Sequence, residues 1–165
     1  MRNLKDLFEQ EIKDLYAAEK QLVIAIPLMI QAASHQKLKR VFTNHLAETE
    51  NHCVRLRDIL SVLNIVTSDT ISHGMSGLIA ESLDIFKIET ASYVKDAALI
   101  ASAQRIEHYE MSGYGTARHY AETLGYHDIM EVLDHILDEE SNANDILNDL
   151  AVGEVNEKAM ASVTI

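Results

Sequence analysis

Residues 33–63 read ASHQKLKRVFTNHLAETENHCVRLRDILSVL. Leu38, Phe42, His45, Thr49, His52, Leu56, Ile59 and Leu63 recur at alternating spacings of four and three, which places them on one stripe of a helix. The helix runs from about 36 to 63. Ahead of it, residues 3–33 carry a matching stripe of Leu4, Phe8, Glu11, Leu15, Ala18, Leu22, Ala25 and Met29. Ala33-Ser34-His35-Gln36 is the one break between the two runs. So short a break folds the second helix back on the first as an antiparallel hairpin. Pro27 falls late in the first helix and makes a kink plausible there.

The rest of the chain repeats the plan. Residues 64–76 are rich in Ser, Thr and Asp and read as a connection, and 77–90 form a short extra helix through Leu78, Ile79, Leu83 and Phe86. A third long helix spans about 91–123, with Gly113 and Gly115 marking a close helix approach or a bend. Gly125 caps it. A fourth helix spans about 127–151. The expected fold is all-α: a ferritin-like four-helix bundle over 1–151, with a long crossover carrying the short helix and a loose tail at 152–165.

Composition agrees. Among 165 residues there are six Gly and one Pro, too few breakers for a turn-rich β-sandwich. No run of 18 apolar residues predicts a membrane span. The N-terminus lacks the apolar core of a signal peptide, and the single Cys53 fits a reducing cytoplasm. With 26 acidic and 14 basic residues the net charge is −12, which disfavours nucleic acid or an anionic membrane as partner.

Some of those acids fall on or beside the buried stripes. Counted from the turn at about 34–35, Glu19 lies 15 residues before it, Glu48 13 after and His52 17 after. Counted from the turn at about 125–126, Glu107 and Glu110 lie 18 and 15 before it, and Glu139 and Glu140 13 and 14 after. Each helix therefore brings a carboxylate to nearly one height, within about one turn of ~5.4 Å. Helical acids more often form a solvated face. If buried, these could pair with Lys20, Arg55 or Arg105, or with Tyr and His donors. The other solution is a pair of metal ions, and oxygen ligands with one or two imidazoles suit iron or manganese. Neither Glu48-x-x-Asn51 nor Glu139-x-x-Asn142 is the Glu-x-x-His pair of di-iron bundles, which points to carboxylate-dominated ligation or an empty acidic centre. His52 is a candidate ligand from its stripe position. His45 reads as a hydrogen-bonded core or interface residue, and Cys53 as a small buried hydrophobe.

The blocks Leu15-Tyr16-Ala17-Ala18-Glu19-Lys20-Gln21, His45-Leu46-Ala47-Glu48-Thr49-Glu50, Glu107-His108-Tyr109-Glu110 and Tyr114-Gly115-Thr116 resemble the YciE/YciF family of bacterial stress-associated proteins. Met75-Ser76-Gly77-Leu78 matches a further block of that family. The resemblance implies a ferritin-like bundle and a homodimer. It suggests Glu19, Glu48, Glu107 or Glu110, and Glu139 or Glu140 as metal ligands. Two functions follow as expectations. One is a stress protein whose iron or manganese pair handles oxygen or peroxide. The other is a non-enzymatic helical dimer that serves as a structural or interaction module.

Overall fold

The protein was analysed as a computed structural model that describes residues 1–67 and 70–161. The expected connection therefore lies partly, and the last four residues of the expected tail wholly, outside the described residues. Four long helices form the bundle: α1 (Leu4–Ala32), α2 (Gln36–Val62), α4 (Ser92–Thr123) and α5 (His127–Leu150), with α3 (His73–Phe86) on the crossover. α1 packs on α2, α4 on α5, α1 on α4 and α2 on α5. Two hairpins joined by one long crossover give the expected bundle.

Local chemistry sets the ends. Asn3 Oδ1 accepts from Asp6 N at 2.9 Å and caps α1, which then runs unbroken through Pro27. At the far end of α4, Gly125 takes φ +77°, and Tyr126 N donates to Ala121 O at 2.9 Å, the left-handed helix stop expected of this glycine. Gly113 marks a close approach: a Cβ there would lie 2.8 Å from Leu15 Cδ2 of α1.

α3 begins at His73, four residues before the expected start at 77. Contacts from other helices, absent from any local pattern, pin its first turn. Gln21 of α1 accepts from Ser72 N at 2.9 Å and donates to Ser76 Oγ at 2.8 Å. Asp14 accepts from Ser72 Oγ at 3.0 Å and from Tyr109 OH at 2.7 Å.

Beyond α5 the chain was expected to be loose. Its described part instead continues through a π-helical turn at Ala151–Val155 into α6 (Asn156–Met160). Ala151 and Val155 extend the apolar stripe of Leu147 and Leu150, and Val155 is fully buried. Glu154 meets Lys37 at 2.7 Å, Lys158 at 2.5 Å and His35 at 3.1 Å, tying this segment to the α1–α2 turn.

The same turn is held by a carboxylate. Fully buried Asp96, in the first turns of α4, accepts from Ser34 N at 2.7 Å and His35 N at 3.0 Å. Asp96→Ala would leave both amides to water or unpaired, at a cost of about 2 kcal/mol. For a chain of this size that lowers Tm by about 4–8 °C. Thermal unfolding followed by circular dichroism checks it, and an unchanged Tm would mean that water replaces the carboxylate.

The core is divided. Leu22, Ile26, Met29, Leu38, Phe42, Leu99, Ile100 and Leu147 form one apolar half, and Phe8, Ile12, Leu15, Leu56, Tyr114, Leu133 and Ile136 the other. The acids lie between the two halves.

Candidate metal centre

Of the acids expected at mid-height, Glu19 and Glu110 are fully buried, and Glu140 and Glu107 are 1% and 2% exposed. They come from α1, α4 and α5. From α2, buried His45 and His52 face them across the bundle.

The contacts fall into two groups. In one, His52 Nδ1 lies 2.9 Å from Glu140 Oε1 and 3.2 Å from Glu19 Oε1. In the other, His45 Nε2 lies 3.5 Å from Glu107 Oε1, and its Nδ1 4.0 Å from Glu140 Oε2. His45, Glu107, Glu110 and Glu140 each offer a donor atom within 4.8 Å of the others, and so do Glu19, His52 and Glu140. Glu140 belongs to both groups. Around them, Tyr114 OH donates a short hydrogen bond to Glu19, and its ring meets His52 edge-on.

Closeness here is not satisfaction. Glu19 Oε2, Glu107 Oε2, both oxygens of Glu110, both of Glu140, both nitrogens of His45 and Nδ1 of His52 are buried without an aligned hydrogen bond among the described residues. Leaving such groups unpaired costs about 1–3 kcal/mol each, and more when charged. So many atoms aimed at one region fit cations held between them.

Protonation responds to the crowding. Burial pushes the Glu107 and Glu110 carboxyls well above the ordinary range; for Glu110 the neighbouring Glu19 and Glu140 add to it. Glu19 is raised by burial, with His52 opposing. Burial also presses on Glu140, but His52 and His45 outweigh it and leave this carboxyl below its usual value. Burial alone would lower both histidines. Glu107 and Glu48 instead lift His45 to about 9, and Glu140 and Glu19 lift His52 to about 10.

The structure thus brings together five of the expected residues: Glu19, His52, Glu107, Glu110 and Glu140. Glu48 and Glu139 stand at the rim. The Glu48 side chain is 44% exposed, with Oε2 3.7 Å from His45 Nδ1. The Glu139 side chain is 38% exposed and meets His52 Nε2 at 2.9 Å, with a short pairing to Arg55. His45, read from sequence as a hydrogen-bonded core or interface residue, joins the cluster. Its signal was the stripe it shares with Thr49 and His52.

Fold and site define a four-helix bundle with a buried carboxylate–histidine cluster, able to hold metal, between two apolar half-cores. Residues 3–160 match the family described as a domain of unknown function, DUF892, and the chain belongs to that family. It is 38% identical over 160 residues to Protein YciF of Escherichia coli, covering 96% of each chain, so the YciE/YciF resemblance holds. The crystal structure of that stress protein superposes with a TM-score of 0.90 at 37% identity, over 94% of this chain and 99% of the other. YcfI from Rhodopseudomonas palustris gives 0.85 at 37% identity over 90% and 94%. A protein from Xanthomonas campestris, at 19% identity and a TM-score of 0.74 over 96% and 98%, shares the fold. No helix among the described residues is long and apolar enough to cross a membrane.

Proposed function

We propose that the cluster binds two divalent metal ions, iron or manganese, and that the protein is a cytoplasmic stress-associated homodimer that handles oxygen or peroxide. The observation that carries this reading is the pair of donor groups sharing Glu140. His45, Glu107, Glu110 and Glu140 would hold one ion, and Glu19, His52 and Glu140 the other, with Glu140 common to both groups. Four carboxylates and two divalent ions cancel in charge, so the buried layer would be neutral with both histidines unprotonated. Carboxylate and imidazole donors are the set that suits these metals. Bound there, such a pair supplies redox and Lewis-acid chemistry toward oxygen species.

The chain's own residues do the rest. Tyr114, kept protonated by burial and the neighbouring Glu19, donates to Glu19 and fixes that carboxylate. The apolar halves above and below keep bulk water from the layer.

The first measurement is metal per chain, by plasma mass spectrometry, on protein purified without added metal and again after anaerobic iron(II) loading. About two ions per chain are expected. No bound metal under either condition would overturn the reading and leave a self-paired acid–histidine layer in a structural bundle.

A further inference from the structure

His52 is gripped from two sides by consecutive residues of α5. Glu140 faces its Nδ1 at 2.9 Å, and Glu139 accepts from its Nε2 at 2.9 Å. Neighbours on a helix diverge by about 100°, so the two carboxylates reach opposite edges of one imidazole. The two nitrogens of the ring cannot face the same ion. If Nδ1 faces the buried groups, Nε2 must point away, and Glu139 is where it points. Arg55 holds the same Glu139 oxygen from the other side, and Tyr114 packs edge-on against the ring with centroids 6.2 Å apart.

We propose that Glu139 is a positioning residue and not a ligand: anchored by Arg55, it holds the Nε2–H of His52 so that Nδ1 is presented to Glu19 and Glu140. This rests on the metal reading above and assigns a job to a half-exposed acid at its rim. A carboxylate behind a ligating histidine fixes which nitrogen binds and strengthens it as a donor, and losing such a partner costs about 10- to 100-fold in metal affinity. The effect falls on one ion of the two, because His45 has no such grip; its neighbour Glu48 stands 3.7 Å away and is more exposed.

The test uses two readouts. In the metal-free protein labelled with ¹⁵N, where both ring nitrogens of His52 carry protons, the Nε2–H should exchange slowly; proximity to Tyr114 assigns the ring, and two-bond couplings of Nε2 to both ring carbon protons tell it from Nδ1. Glu139→Ala should abolish that signal, and Glu139→Gln, whose amide oxygen still accepts, should keep it. In anaerobic cobalt(II) titrations Glu139→Ala should hold one ion as the parent does and the second about 10- to 100-fold more weakly, with Glu139→Gln restoring most of the loss. Arg55→Met, which frees Glu139 without touching the histidine, should give a smaller loss in the same direction, and it decides the matter if Glu139→Ala does not fold. An Nε2–H signal of His52 unchanged in Glu139→Ala, or both ions weakened equally, overturns the proposal. A parent protein that binds no cobalt(II) while the ring signal behaves as expected overturns the metal reading and with it the ligand role of His52, leaving only a fixed ring.

Discussion

Glu140→Ala is expected to remove both ions at once. Every other residue of the cluster belongs to one donor group, whereas Glu140 belongs to both. Its two oxygens are buried without an aligned hydrogen bond and lie near different histidines, Oε1 by His52 and Oε2 by His45. The variant should fall from about two ions per chain to none under conditions that saturate the parent. Glu19→Ala, confined to one group, should retain one. Equilibrium dialysis with plasma mass spectrometry reads both. Glu140→Gln keeps the side-chain volume but loses the charge, and should bind no more than one ion, weakly. Full occupancy in Glu140→Ala would remove this residue from the ligand set and with it the sharing of one carboxylate by both donor groups.

Metal affinity should climb steeply with pH, because the cluster must shed protons to bind. His45 at about 9 and His52 at about 10 are both charged at neutral pH. Each must lose a proton before it can ligate, so each ion binds about tenfold more tightly per pH unit between 6 and 8. The raised Glu107 and Glu110 carboxyls add to the slope at the acidic end. Chelator competition at pH 6, 7 and 8 measures it. Without metal the sign reverses. The folded histidines hold protons more tightly than the unfolded ones, so their contribution is full below about 6.5 and is lost as pH rises through 9 to 10. Folded carboxyls with raised values act in the same direction, since the unfolded chain releases their protons first. The urea midpoint of the metal-free protein should therefore fall from pH 6 to pH 10. A flat affinity profile would mean that the histidines are not ligands.

The four long helices were legible because apolar residues repeat at spacings of three and four without interruption. The shared level of Glu19, Glu107, Glu110 and Glu140 was legible because distance from a hairpin turn converts to height along a bundle. That arithmetic is blind to angle. Glu48 and Glu139 share the height of the centre, yet each sits one residue before a buried stripe position, Thr49 and Glu140, and so turns toward the rim. His45 could not be distinguished from a packed histidine, because what sets it apart is Glu107 on another helix. The same limit hid Asp96, whose partners are backbone amides some sixty residues away. The early start of α3 was hidden in the same way, since side chains of α1 and α4 set it.

The charged layer between the two apolar halves also acts as a ruler. A purely greasy bundle tolerates one helix sliding past another by a turn, since Leu then meets Leu. Here a slide of ~5.4 Å would carry Glu110 or Glu140 into a wall of leucine and isoleucine and strand its polar oxygens there. Each helix has one axial position at which its acid or histidine finds the others. The expense of polar groups in the core thus fixes alignment, and the same atoms that could grasp an ion keep the four rods from slipping.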